Sequence, residues 1–299
     1  VARRRRKSRS GRSQANPAQA IVFIVILLIA AGVWLMRDRQ SPPVPPKAGV
    51  QSVRIATWNL RKFSERAAPD LVAIADIIRQ ADFHLLAIQE VQQEGQAVQR
   101  LRRQLNEPWR HVISPRTGNN ERYAFLYRAD VVEPLGEGQL LESAGVLNRA
   151  PFAMSFKAGQ FDFTLVTVHL WYGDANFNQR RQLEVQALAG LAQRIAAGSS
   201  EKDLIVLGDF NEFRSGGNLH YFDNMGWSRL IAEPTNLGST EVYDNLLINR
   251  GFTREYAGRS GVVRFDETRF ANDDATARDL VSDHRPAWAD FVVTGPDDD

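Results

Sequence analysis

The chain is 299 residues long, room for one large α/β domain and additional segments. It contains no cysteine, which excludes disulfides, thiolate zinc sites and cysteine nucleophiles. Its formal charge of +2 divides unevenly: residues 1–49 hold ten basic residues and one acid, leaving 27 basic and 34 acidic residues beyond them, a net −7 that speaks against coating nucleic acid by bulk charge.

Arg3 to Arg6, Lys7, Arg9 and Arg12 make residues 1–16 a basic tail. An uncharged run from Ala20 to Met36 follows, with Asn16 placed as a cap and Pro17 in the first turn. A helix over 17–37 is about 31 Å long at 1.5 Å per residue, enough to cross a bilayer. The positive-inside rule keeps the tail in the cytoplasm and sends the remainder outward, to the periplasmic or outer side of the inner membrane. A cleaved signal peptide ending near Ala30-Ala31-Gly32 is the alternative. The length of the apolar run, and Trp34 shortly before Arg37, favour a retained anchor. Residues 38–49, with Ser41-Pro42-Pro43-Val44-Pro45-Pro46-Lys47, read as a semi-rigid spacer. The folded domain is expected over 50–295, with a short acidic tail at 296–299.

Within that domain, Val53–Thr57 reads as a strand delivering Trp58-Asn59 at its end. Pro69–Gln80 carries apolar residues at 71, 74, 75, 77 and 78, a helical stripe. Leu85–Ile88 is a strand ending in Gln89-Glu90, and Val98, Leu101 and Leu105 mark a second helix. Val112–Ile113 and Arg122–Tyr127 are strand-like, the latter preceded by Glu121. Phe152–Phe156 and Phe161–Val168 form an expected hairpin ending in His169. Asn178–Ala197 places Leu183, Ala187, Leu188, Leu191 and Ile195 on one helical face. Leu204–Leu207 is a buried strand running into Gly208-Asp209-Phe210-Asn211, and Tyr243–Ile248 and Pro286–Val293 complete the strands. Interleaved helices, strands and hairpins imply a layered α/β domain.

Polar residues recur at the strand ends. Asn59, Glu90, His169, Asp209 and Asn211 each follow an apolar strand, Asp244 heads one, and Asp283-His284 precede another. Each has a bland alternative: Asn59 as a turn residue, Glu90 as a helix cap, Asp283 as a loop acceptor. Strands that end at one rim gather such side chains into one cleft, which favours a site. His84, His111 and His220 have no comparable setting and read as structural or exposed.

These segments resemble the endonuclease/exonuclease/phosphatase superfamily of metal-dependent phosphoesterases. The matching stretches are Thr57-Trp58-Asn59, Ile88-Gln89-Glu90, Val168-His169-Leu170, Gly208-Asp209-Phe210-Asn211, Tyr243-Asp244-Asn245 and Ser282-Asp283-His284-Arg285-Pro286. Asn120 to Arg128 looks like the deoxyribonuclease I branch. The resemblance implies a four-layer αββα sandwich, two packed mixed sheets flanked by helices. It implies Glu90 as principal metal ligand with Asn59 and Asp283 nearby, and Asp209 and Asn211 orienting water or phosphate. Carboxylate and amide oxygens suit Mg²⁺, or Mn²⁺ or Ca²⁺. Glu121 is expected to orient His169, and Asp244 to orient His284, with His284 near the nucleophile and His169 near the leaving group. Arg149 matches a phosphate-contacting arginine.

The expected activity is hydrolysis of DNA by a membrane-tethered endonuclease. A phosphatase or a phospholipase of sphingomyelinase type is the alternative, and Trp171-Tyr172 suits lipid contact. A non-catalytic adaptor would be expected to lack metal or histidine positions, and all stand here. Where the deoxyribonuclease branch grips the minor groove with an arginine and a tyrosine, this chain has Gln92 and Asn119. A weaker hold on duplex DNA follows from those two positions.

Overall fold

The computed structural model describes residues 49–173, 178–212 and 217–295. The expected tail and membrane helix, nearly all of the spacer and the acidic tail lie outside the described residues. Among the described residues, no helix is long and apolar enough to cross a membrane.

The chain order is β1 (Ser52–Phe63), α1 (Leu71–Gln80), β2 (Leu85–Val91), α2 (Gln96–Leu105), β3 (Trp109–Ile113), β4 (Arg122–Arg128), β5 (Glu133–Pro134) and β6 (Gln139–Leu140). It continues with β7 (Phe152–Ala158), β8 (Phe161–His169), α3 (Asn178–Gly198), β9 (Leu204–Asp209), α4 (His220–Asp223), β10 (Trp227–Arg229) and β11 (Asp244–Asn249). Last come β12 (Tyr256–Val262), α5 (Phe265–Phe270), α6 (Asp274–Leu280) and β13 (Ala287–Val292). Two mixed sheets result, ordered β12-β13-β1-β2-β4-β3 and β10-β11-β9-β8-β7-β5, with β6 also on β7. Each contains one parallel pair, β1 with β2 and β8 with β9, joined through α1 and α3. All other pairings are antiparallel.

Alternation explains the layers. Along β1, Val53 and Ile55 face a core shared with Phe156, Phe163 and Ile205 of the other sheet. Ala56 and Trp58 point the other way, against Ile74 and Ile78 of α1 and Leu101 of α2. Val166 and Val206 of the second sheet face Val185, Leu188 and Ala189 of α3. Helices thus cover both outer faces of two sheets packed face to face.

Several boundaries differ from the sequence reading. β1 does not stop at Thr57 but runs to Phe63, so Asn59 lies within it. Its register on β2 jumps from Asn59↔Gln89 to Phe63↔Val91, inserting two residues on the β1 side. Arg61 and Lys62 take up that excess with φ of 40° and 49°. On α3 the buried face is Arg181, Glu184, Val185, Leu188, Ala189, Leu191 and Ala192, while Leu183 is 53% exposed. The expected stripe was rotated because two charged residues lie inside. β12 escaped notice because it is a largely exposed edge strand with Gly258 and Gly261 in place of an apolar alternation.

Near one rim the space between the sheets turns polar. Gln89 is fully buried there, its Nε2 donating to Thr57 Oγ1 at 2.9 Å and, across the sheets, to Thr167 Oγ1 at 2.9 Å. Satisfied on both sides, this rung avoids the penalty of a buried unpaired amide. It fixes the register between sheets directly beside Glu90.

Candidate active site

Topology brings the polar strand ends together. The parallel pairs β1/β2 and β8/β9 deliver Asn59, Glu90, His169 and Asp209 towards one rim. β13 is antiparallel to β1 and β11 antiparallel to β9, so their beginnings lie at that same rim. His284 and Asp244 therefore join from the opposite chain direction. Gly208 permits the approach: its φ is 141°, and a Cβ there would sit 2.1 Å from Val168 O of the neighbouring strand. The cleft has a volume of about 730 Å³, and Glu90, Arg149, His169, Asp209, Asp283 and His284 are among its walls.

Each of two histidines is held through Nδ1 by a carboxylate. His169 Nδ1 is 2.9 Å from Glu121 Oε2, and His284 Nδ1 is 2.8 Å from Asp244 Oδ2. Their Nε2 atoms converge on a single oxygen, Asp209 Oδ2, at 3.6 Å from His169 and 3.8 Å from His284. Asn59 Nδ2 donates to the same Asp209 oxygen at 2.9 Å and to Glu90 Oε1 at 3.1 Å. Glu90 Oε2 accepts the Lys62 backbone N–H at 2.7 Å. Glu90 itself has a φ of 58°, backbone strain that aims its side chain into the cleft. Asn211, with φ 51°, donates through Nδ2 to Leu170 O at 2.9 Å.

The loop carrying Asp283 and His284 is sewn to β1. Ser282 Oγ donates to Asn59 O at 2.6 Å and accepts the His284 N–H at 3.1 Å. Trp58 Nε1 donates to His284 O at 2.7 Å. Asp283 is 44% exposed at its side chain and forms an ion pair with Arg61 at 3.3 Å.

Of the three residues assigned to substrate, one lines the cleft and two lie outside it. Arg149 lines the cleft, but its guanidinium is engaged: Nε is 2.8 Å from Glu121 Oε2, and a terminal nitrogen donates to Glu121 Oε1 at 3.1 Å. Asn119 is exposed on the turn Gly118–Asn120 beside Asn148, and Gln92 packs its backbone N–H against Phe63 O. Neither is among the cleft walls. Conversely, Asn236, Asp274 and Arg278 line it and were not singled out from sequence, while Tyr172 and Tyr243, which were, line it too. Tyr243 belongs to a recognised motif, whereas Asp274 and Arg278 come from a short helix without a legible apolar stripe.

The carboxylates differ in charge behaviour. Burial pushes the Glu121 carboxyl up, but His169 and Arg149 outweigh it, and its pKa lies below the ordinary value. Burial drives Asp244 up to about 6 against the opposing pull of His284. Burial alone would lower His284, yet the carboxylates of Asp244 and Asp209 raise it to about 10. At neutral pH this second pair is an ion pair carrying a tightly held proton.

The donor set is one of hard oxygens. Glu90 and Asp209 approach one another across a single amide, with Asn211 and Asp283 close in sequence to the same motifs. Such carboxylates and amides fit a hard divalent cation. Asp209, Asp244 and His284 also bring one ligand atom each within 4.8 Å of one another. Since His284 is already bonded to Asp244, that trio describes a proton-sharing pair beside a shared carboxylate as readily as a second ion site.

Residues 56–284 match the endonuclease/exonuclease/phosphatase family. A protein named deoxyribonuclease from Thioalkalivibrio is 32% identical over 275 residues, covering 82% of this chain and 73% of its own. Chicken deoxyribonuclease-1 is 28% identical over 266 residues, covering 79% of this chain and 90% of its own. Among solved structures, a mannosyl-6-phosphatase of Bacteroides thetaiotaomicron superposes with a TM-score of 0.58 at 15% identity, covering 79% of this chain and 98% of that one. The last likeness concerns the fold alone.

Proposed function

The chain belongs to the endonuclease/exonuclease/phosphatase family, and from that premise we propose that it is a divalent-metal-dependent phosphodiesterase acting on DNA. The observation that carries the reading is the convergence of two carboxylate-backed imidazoles on Asp209 Oδ2, at 3.6 and 3.8 Å. In-line hydrolysis needs a base for water, an acid for the leaving oxygen and charge at the phosphoryl group. Two histidines on either side of one carboxylate supply the first two. Glu121 and Asp244 fix the tautomers and support the imidazolium forms. Asp209, backed by the Asn211 N–H at 2.9 Å, orients the attacking water. Glu90, Asn59 and Asp283 would hold Mg²⁺, with Mn²⁺ or Ca²⁺ as alternatives, which supplies positive charge to the phosphoryl oxygens when bound. The DNA assignment leans on the names of the similar proteins.

A specific observation favours a second reading. Gln92 and Asn119 are not cleft walls, and residues 50–299 carry a net −7, so nothing at those points replaces a minor-groove grip. A phosphatase or phospholipase of the same fold is that alternative. The full chain, assayed on plasmid, RNA, phosphomonoesters and lipid vesicles with and without EDTA, separates them. We expect EDTA-sensitive plasmid nicking; turnover of another phosphoester with no action on DNA would refute the DNA reading.

Residues 17–37 are proposed to anchor the enzyme in the inner membrane, with the domain outside. Protease added to spheroplasts should then release the domain while the basic tail stays protected. A domain protected until lysis sinks this orientation.

A further inference from the structure

The inward-facing charges of α3 are unexplained by packing. Glu184 is 1% exposed, on a helix face otherwise covered by Val185, Leu188 and Ala189. A carboxylate in such a place is costly unless its oxygens are bonded. Both are. Glu184 Oε1 accepts the Asn148 N–H at 2.9 Å, and Oε2 accepts the Trp171 N–H at 2.7 Å.

Those two amides belong to separate strands of the chain that lead to the site. Asn148 immediately precedes Arg149, and Trp171 follows His169 by two residues. Arg149 in turn grips Glu121, and Glu121 holds His169 Nδ1 at 2.9 Å. The contacts therefore close a ring: Glu184, Asn148, Arg149, Glu121, His169, Trp171 and back to Glu184. Arg149 adds donors at 3.4 Å to the carbonyls of His169 and Leu170, inside the ring. One turn earlier, Arg181 donates to Gly173 O at 3.0 Å and lies 3.3 Å from Glu212 Oε1, beyond Asn211.

We infer that Glu184 is a positioning residue for His169: its carboxylate straps the Arg149 approach to the His169 exit and so sets the imidazole relative to Asp209. The inference rests on the phosphodiesterase reading above. Charge-assisted bonds to two backbone amides are stronger than neutral ones. Slackening them displaces His169 without removing it. Misplacement on the order of 1 Å from a change outside the chemistry costs up to about a hundredfold in rate.

The test uses the full chain with Glu184→Gln and Glu184→Asp. The amide can accept only one of the two N–H groups, and the shorter acid keeps the charge but not the span. Both variants should lower kcat about 10- to 50-fold with KM changed less than about twofold. On a His169→Ala background, Glu184→Gln should cost less than about twofold more, because its effect passes through His169. An equal loss on both backgrounds, or an unchanged kcat, would overturn the inference. Backbone exchange in the unsubstituted protein decides the strap without any variant: the Asn148 and Trp171 amides should be protected together, and rapid exchange of both removes it. Absence of hydrolysis by the unsubstituted chain would instead strike the functional reading, leaving the exchange result to stand by itself.

Discussion

The two histidine pairs have the same outline and opposite electrostatics. Glu121 answers to two partners, His169 and the buried Arg149, and its carboxyl lies below the ordinary range. Asp244 is fully buried, has His284 as its cationic partner, and is pushed up to about 6. The first carboxylate is held as an anion by His169 and by Arg149 together. The second depends on His284 for its charge, and the proton they share is held tightly. The lesson is that a hydrogen bond to Nδ1 fixes a tautomer in both pairs, while the carboxylate's other neighbours decide what the imidazole is ready to do. The first carboxylate has an arginine beside it, whereas the second is bonded to its histidine.

The largest effect should come from removing what the pairs share. Asp209→Asn takes the charge from the oxygen between both Nε2 atoms, and Glu90→Gln takes it from the neighbouring carboxylate. Each should reduce kcat/KM by about a hundredfold or more, the scale of losing one strong electrostatic contribution. Rates measured at fixed Mg²⁺ near the unsubstituted value would place either residue outside the chemistry.

The partners should then separate. Asp244→Asn leaves His284 without the anion on its Nδ1, so its main effect should be catalytic, about a hundredfold in kcat. Glu121→Gln also strands the buried Arg149, and an uncompensated buried charge costs about 3 kcal/mol or more. In a domain of this size that lowers the thermal midpoint by about 6–12 °C. Thermal scans of the two variants side by side should thus show the larger fall for Glu121→Gln. Equal falls would erase the distinction between the pairs.

A third expectation concerns the proton on His284. Its pKa is raised from 6.5 to about 10, so the metal-free folded state binds the extra proton between those values. Stability from this source is complete below about pH 6.5 and is lost as pH rises through 10. A dication beside Asp209 opposes the anionic field that holds this proton, so adding Mg²⁺ should lower the His284 pKa and flatten the slope. Imidazole NMR with and without Mg²⁺ reads this directly. If His284 remains protonated above pH 9 when loaded, it fits the acid, and its expected place near the nucleophile must be given to His169.

How much of this was legible beforehand depended on the residue. Strand-end acids and histidines announced themselves because an apolar run stopped at each. The individual pairings came through family resemblance, since Glu121 and His169 are 48 residues apart and no periodicity links them. The engagement of Arg149 with Glu121 was invisible, because an arginine near a site reads equally as a phosphate contact. So were Glu184 and Arg181: a charged residue in a helix is read as facing solvent, and only the loops folding over it make burial tolerable. Asn59 inside β1 was missed because a two-residue bulge looks in sequence like a strand that has ended.

The smallest expected effect leaves both pairs untouched and asks only how DNA is held. Gln92→Arg places a cation beside the bulge at a position with ordinary backbone, where a minor groove would concentrate negative potential. One additional ionic contact should steepen the salt dependence of binding by about 0.9 in log K against log salt. It should lower KM on duplex DNA about 3- to 10-fold while kcat stays constant. Asn119→Tyr should add less than its chemistry suggests. A stacked base is worth about 1–3 kcal/mol, but Asn119 has φ 59°, a left-handed conformation that asparagine tolerates and tyrosine adopts at a cost of about 1–2 kcal/mol. Most of the stacking gain is therefore cancelled by the backbone. KM values for both single variants and the double, taken at several salt concentrations, check this. An arginine that changes neither KM nor the salt slope, beside faster turnover of a small phosphoester, would remove duplex DNA as the substrate and leave the two histidine pairs serving another ester.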